Sequence, residues 1–465
     1  MMDGSFFGEL LHTIADRGRA LVGLSRNDLA RSGLSGDAAD PQRDRADRPD
    51  LLALCDALLS GRGEASGVAL AQEVLARYAA LDLPERQQFL AVLAERFGPD
   101  RKRLEQAIAT YAAAPDDRRA IDLHNAAEPR RQELFRRLNL APGGTHSLVR
   151  MREEALRHAA AIPGFEAVDA DFAHLFSSWF NRGFLVLRRI DWSTPANILQ
   201  KIIRYEAVHA IHDWEDLRRR LEPPDRRCFA FFHPQLVDEP LIFVEVALTG
   251  HIAASIAEVL SEDRNPLAPA LATTAIFYSI SNCQDGLRGI SFGNFLIKQV
   301  VQELSRELPG LTHFVTLSPV PGFAGWLAKE RRKDDGLLTA EEKQRLAALD
   351  EADWHRDAAR ADALQPLLQS VAARYFLKAQ GANHRPVDPV ARFHLGNGAR
   401  LERINPLGDR SKKGLAQAHG LMVNYLYDPR HIERNHEAYA EAGKVAASAA
   451  VHKLLKAETH GAAAA

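Results

Sequence analysis

The segment whose residue types and spacing best suit chemistry is Arg288-Gly289-Ile290-Ser291-Phe292-Gly293-Asn294. This small-residue turn separates a strand-like run from an amphipathic helix expected from Asn294 to Leu308. Small residues let backbone come close to a ligand, and a helix N-terminus offers unpaired N–H groups and a partial positive charge. A pyrophosphate suits such a place, each charge–dipole contact contributing about 0.3–1 kcal/mol at an exposed site. A plain helix cap is the structural alternative. No Gly-Lys-Ser/Thr follows, so the turn is not a Walker loop. Gly289-Ile290-Ser291-Phe292-Gly293 also spells GxSxG. A nucleophile elbow, however, needs a buried strand running into its first glycine, and the polar run from Gln284 to Arg288 stands there instead.

The elements that must position this turn follow from pattern. The first 180 residues read as successive helices. Val68, Leu70, Val74, Leu75 and Tyr78 recur at helical spacing, and Asp82, Pro84 and Glu85 mark the start of a helix with the stripe Phe89, Leu90, Leu93 and Phe97. Leu134, Phe135 and Leu138 make another apolar face, and residues 35–50 read as a solvated loop. Composition shifts near Asn181-Arg182-Gly183. Strands are expected at Phe184–Leu187, Arg227–Phe232, Pro240–Leu248, Thr274–Ile280, Phe314–Leu317 and Gly420–Tyr427, with a helix over Ala196–Ala207 and a charged helical insert at about 327–380. Val390 to Asn405 reads as a β-hairpin turning at Asn397-Gly398, with His394 opposite Leu401. The expected architecture is an all-helical domain over 1–181 and a mixed α/β domain over 182–465.

Composition narrows the function. The 465 residues carry a formal net charge of −2, against a nucleic-acid binder. No apolar run of about 18 residues exists to cross a membrane. Cys55, Cys228 and Cys283 are scattered, without metal-ligand spacing, as suits a reducing compartment. Asp3, Glu9 and Asp16 fit neither a signal peptide nor a mitochondrial presequence, and the C-terminus is not Ser-Lys-Leu. A cytoplasmic location is expected, with neither metal nor cofactor. His209 and His212 are expected to cap a helix end or face solvent, and Lys412-Lys413 beside Arg410 to be solvated or to meet a phosphate.

Several long motifs resemble those of the malonyl-CoA decarboxylase family. They include Glu239-Pro240-Leu241 through Gly250, Ala275 through Ser281, Gly293 through Lys298, Leu317-Ser318-Pro319-Val320-Pro321-Gly322-Phe323, Phe393-His394-Leu395-Gly396-Asn397-Gly398-Ala399, and Gly420 through Tyr427. The turn is similar to the CoA-pyrophosphate loop of GNAT-type acetyltransferases, with Arg288 and Gly293 matching and Ser291 in place of the middle glycine. The resemblance implies a helical oligomerisation domain followed by a GNAT-like mixed-sheet catalytic domain, in a homo-oligomer, expected as a tetramer. It implies catalytic roles for Ser318 and His394, with Tyr427 placed at the site and Ser279 near it. It implies CoA contacts at Arg288, Gly289, Ile290, Ser291, Phe292, Gly293 and Asn294. Some relatives carry a glutamate at the position of Ser291.

The implied reaction converts malonyl-CoA to acetyl-CoA and carbon dioxide through an enolate on the thioester oxygen. Ser318, held by the prolines that follow it, could donate to that oxygen, contributing about 3–4 kcal/mol, or could hold the leaving carboxylate. His394 is the expected proton donor, because an unperturbed imidazole carries a proton near neutral pH. The alternative is an N-acetyltransferase of the same fold using acetyl-CoA and an amine.

Overall fold

The computed structural model describes residues 50–60, 63–290, 296–381 and 384–455. It forms two compact units. The first holds the described residues up to Phe184 together with His233–Val237 and 284–290; the second holds Leu185–Phe232, Asp238–Cys283 and the described residues from Leu296 onward.

The first unit is helical: α1 (Leu51–Leu59), α2 (Glu64–Ala80), α3 (Leu83–Arg96), α4 (Arg101–Ala113), α5 (Asp117–Ala127), α6 (Arg130–Asn139), α7 (Gly144–Arg157) and α8 (Phe165–Trp179). Helix α3 starts where its residues direct. Asp82 accepts the Glu85 N–H, and the Glu85 carboxylate accepts the Asp82 N–H. Its expected stripe of Phe89, Leu90 and Leu93 is buried. Helices α6 and α8 meet through Phe135 and Phe172, whose stacked rings are 4.2 Å apart, and through a buried Arg131–Asp171 ion pair. Arg152 on α7 donates to the carbonyls of Gly286 and Arg288 at 2.8 and 2.9 Å. At Gly286 a Cβ would lie 2.1 Å from the Val149 carbonyl oxygen, so only glycine lets these backbones touch.

The second unit is built on β1 (Val186–Ile190), β2 (Arg226–Phe232), β3 (Pro240–Thr249), β4 (Thr274–Asn282), β5 (His313–Thr316), β6 (Ser318–Pro319), β7 (Arg400–Asn405) and β8 (Met422–Leu426). Among the described residues they form one sheet in the order β1-β2-β3-β4-β5-β8-β6, with β7 also on β8. The β4–β5 pair is parallel and the other pairs are antiparallel. The mixed sheet after a helical region is the expected fold class. Strands β2 and β3 are buried almost throughout, which is why both read as apolar runs rather than alternations. Helices α9 (Ala196–Tyr205) and α10 (Trp214–Leu221) cover one area of the sheet, packing Ile198, Leu199, Ile202 and Leu217 on Ala230, Phe232 and Phe243. The chain continues through α11 (Ile256–Leu260), α12 (Leu296–Glu307), α13 (Phe323–Glu330), α14 (Ala340–Leu346), α15 (Ala358–Leu377), α16 (Pro389–Gly396), α17 (Lys412–Ala418), α18 (Ile432–Ala442) and α19 (Ala449–Leu454).

Two expectations need correction. The first strand begins at Val186 rather than Phe184, because Arg182–Phe184 is a short 3-10 turn. More consequentially, Val390–Asn405 is not a hairpin. Asp388 accepts the Ala391 N–H at 2.8 Å and Pro389 occupies the first turn, where its missing N–H costs nothing, so the chain winds into α16. Asn397-Gly398 is that helix's stop. Asn397 is the C-cap, and Gly398 has φ 80° with a Cβ position only 2.1 Å from the Ile432 carbonyl oxygen. His394 therefore sits on a helix rather than across a ladder from Leu401.

Candidate active site

Strands β4 and β5 run in parallel as far as the Phe277–Thr316 pair. The Leu317 N–H then donates to the Phe277 carbonyl at 2.9 Å, and Ser318 passes to a new antiparallel pairing with Val423 of β8. Beside this break lies a cavity of about 270 Å³ whose walls include Val208, Ile242, Phe277, Ile280, Leu317, Ser318, Phe393 and His394. Its polar lining among the described residues is Tyr278, Asn282, Ser318 and His394, and no described acid, lysine or arginine lines it.

Three of the expected residues meet here. The Ser318 Oγ is 3.1 Å from the His394 Nε2, and the His394 Nδ1 is 2.8 Å from the Tyr427 hydroxyl. The imidazole stacks on Tyr425, ring centroids 4.6 Å apart and 24° from parallel. Asp388 fixes the start of the helix carrying His394 and accepts from the Tyr375 hydroxyl at 3.2 Å. Tyr427 follows β8, its N–H donating to the Phe314 carbonyl at 2.8 Å.

The proton positions follow from the bonds. The Ser318 hydroxyl donates to the Thr316 Oγ1 at 2.8 Å, and that oxygen also accepts the Tyr425 N–H at 3.1 Å. With its one proton so used, the arrangement fits the tautomer in which Nε2–H donates to Ser318 and Nδ1 accepts from Tyr427. Complete burial pushes the His394 imidazole down to about 3 and holds the Tyr427 phenol well above its usual range. Burial thus favours the neutral imidazole and disfavours the protonated form expected near neutral pH.

Ser279 has a different setting. Phe277, Ile280 and Asn282 line the cavity, while the Ser279 and Ser281 hydroxyls turn to Glu206; a register shift opposite Glu245 and Val246 interrupts the alternation at Tyr278. The Ser279 hydroxyl donates to the Glu206 Oε2 at 2.6 Å, and the other oxygen of Glu206 accepts the N–H groups of Val208 and His209 at 2.7 and 2.8 Å. Lys413 donates to the Ala207 and Val208 carbonyls at 2.6 and 3.2 Å, so it is tied down rather than simply solvated. Glu206 and Lys413 thus hold Val208 in the cavity wall. His209 was expected to cap or face solvent; it is mostly enclosed, and burial lowers its imidazole to about 4.

Of the proposed CoA turn, Arg288, Gly289 and Ile290 are described. Arg288 is exposed beside Asp285, Gly289 has φ 81°, and Ile290 is buried. Ser291, Phe292, Gly293 and Asn294 lie outside the described residues. Sequence reasoning missed Thr316, Glu206, Asp388 and Arg152. Only Asp388 carried a local signal, the Asp-Pro pair that starts a helix.

The chain can now be set beside known proteins. The family description "Malonyl-CoA decarboxylase C-terminal domain" matches residues 183–465, and "Malonyl-CoA decarboxylase N-terminal domain" matches residues 97–180. A mitochondrial malonyl-CoA decarboxylase of Anser anser anser is 36% identical over 399 residues, covering 78% of each chain. A crystal structure of malonyl-CoA decarboxylase from Rhodopseudomonas palustris is 62% identical with a TM-score of 0.84, covering 87% of this chain and 98% of that one. That from Agrobacterium vitis is also 62% identical with a TM-score of 0.84, over 88% and 100%. The chain belongs to the malonyl-CoA decarboxylase family of carboxy-lyases.

Proposed function

We propose that this protein converts malonyl-CoA to acetyl-CoA and carbon dioxide in the cavity beside Ser318. The carrying observation is the hydrogen-bonded run Ser318–His394–Tyr427 opening on a cavity with no charged residue among its described lining. A carboxylate that enters such a space loses hydration and gains no counter-charge, which disfavours the bound acid relative to a transition state whose charge is spread out. As the carbon–carbon bond breaks, carbon dioxide leaves and its electron pair passes to the thioester oxygen as an enolate. The Ser318 hydroxyl turns to donate to that oxygen. The Nε2 proton of His394 goes to the α-carbon and Nδ1 takes the Tyr427 proton; before the next turnover a solvent proton reaches Nε2 and Nδ1 returns its proton to the tyrosine oxygen. A neutral imidazole suffices because a thioester enolate is the far stronger base, and neutral histidine serves as an electrophile elsewhere.

The turn from Arg288 to Asn294 is proposed to hold the CoA pyrophosphate. Residues 1–181 are proposed as the oligomerisation domain of a homotetramer, and 182–465 as the catalytic domain. The three cysteines are buried free thiols, which supports a reducing compartment, proposed as the cytoplasm.

Incubation with malonyl-CoA alone tests the reading. Acetyl-CoA and carbon dioxide appearing without an acceptor support it. Intact malonyl-CoA alongside acetylation of an added amine from acetyl-CoA would establish the acetyltransferase instead.

A further inference from the structure

Thr316 is fully buried, and its hydroxyl oxygen stands at the far end of the hydrogen-bonded run from Tyr427. Its main chain is held as firmly as its side chain. It pairs with Phe277 across the parallel strands, and its carbonyl accepts from the Asn424 amide at 2.8 Å. The Tyr425 N–H donates to the Thr316 Oγ1 at 3.1 Å. That oxygen is thus a fixed acceptor 2.8 Å from a serine that also touches a histidine.

A serine beside a histidine can be wired in two directions. If the hydroxyl donates to Nε2, the imidazole is a base and the serine becomes a nucleophile. If Nε2–H donates to the serine, the imidazole cannot take the serine's proton and the oxygen stays unactivated. In a thioester site the first wiring would transfer the acyl group to the serine and release free CoA.

We propose that Thr316 is a positioning residue that fixes the second wiring. It takes the Ser318 proton at rest and so leaves Ser318 an acceptor toward His394. In turnover the hydroxyl rotates from Thr316 to the thioester oxygen, and at neither stage does it point at Nε2. Tyr427 completes the device from the other end, since its O–H at Nδ1 selects the same tautomer. The assignment deepens the decarboxylase reading and rests on it for the identity of the thioester, although the wiring itself can be measured without any substrate.

The test uses a fluorophosphonate probe on the full chain. Labelling joins the serine Oγ to phosphorus and expels fluoride, with the serine proton passing to Nε2. It therefore needs an Nε2 free to accept. Wild type and Thr316→Ser, which keeps the acceptor, are expected to resist labelling at Ser318. Thr316→Val keeps the shape and removes the acceptor, and labelling should rise by about 10²-fold, the usual scale of general-base assistance. Equal labelling of wild type and Thr316→Val would overturn the proposal, as would protection lost in Thr316→Ser. Nitrogen-15 NMR of His394 in wild type gives an independent reading that no folding defect of a variant can obscure. A proton on Nε2 with Nδ1 bare supports the wiring, and the reverse tautomer overturns it. Failure of wild type to decarboxylate malonyl-CoA would instead remove the functional reading and leave the tautomer result standing.

Discussion

The Tyr427 hydroxyl lies 2.8 Å from the His394 Nδ1, and both side chains are buried. In the proposed mechanism that contact selects the ring nitrogen that faces Ser318 with a proton and supplies the proton that follows the first one. Removing the hydroxyl by Tyr427→Phe should lower kcat about 10- to 100-fold, below the usual range for a directly acting acid because the imidazole remains in place. KM should change little. Steady-state kinetics on malonyl-CoA read both.

Ser318→Ala and His394→Ala should each lower kcat by about 10²–10³-fold, the scale of one lost donor at a developing oxyanion. Binding of CoA, measured by calorimetry, should be largely retained. Unchanged rates in both variants would refute the roles given to them.

The pH dependence carries a distinctive sign. Because burial holds His394 neutral, with a folded value of about 3, kcat/KM should show no inflection near the ordinary imidazole value of about 6.5. Stability should behave differently. Between about 3 and about 6.5 the unfolded chain binds more protons at this histidine than the folded one, so stability rises with pH across that window. The contribution is fully present above about 6.5 and is lost as pH falls toward the folded value. His209, lowered to about 4, and His233 and His419, also lowered by burial, act in the same direction. Thermal melts should therefore fall steadily on acidification below about pH 6.5, and more gently in His394→Gln.

Ser279→Ala should act on folding before chemistry. It takes a 2.6 Å donor from the Glu206 carboxylate, and an undercoordinated buried acceptor costs about 1–3 kcal/mol. The expected result is a lower melting temperature with kcat reduced far less than in Ser318→Ala.

Gly286→Ala tests how the turn before Arg288 is held. A methyl group would meet the Val149 carbonyl oxygen at 2.1 Å, so the turn must shift off α7 and away from Arg152. The affinity for CoA should fall while the rate constant at saturation changes little, as a KM-against-kcat split would show.

Much of this architecture was legible in the chain. The Asp82–Glu85 box, the apolar stripe after it, and the buried runs of β2, β3 and β4 announce themselves by local pattern. The pairing of Ser318 with His394 was expected from motif, 76 residues apart, but not the element that achieves it. Val390 to Asn405 alternates well enough to imitate a hairpin, and Asn-Gly is both a tight turn and a helix stop. The Asp388-Pro389 start resolves that ambiguity, because a side-chain cap and a prolyl first turn act together. Thr316 and Glu206 gave no sign. Their importance comes from what the fold brings to their oxygens, and a threonine in a strand or a glutamate after a helix has no pattern of its own. The protonation of His394 was equally hidden, since enclosure is a property of the packed molecule.

The uncharged lining of the cavity has a consequence for the end of the cycle. A methyl group suffers no dehydration penalty where a carboxylate does, so on the proposed reading the acyl part of acetyl-CoA should be held at least as well as that of malonyl-CoA. Inhibition of initial rates by added acetyl-CoA is the expected consequence.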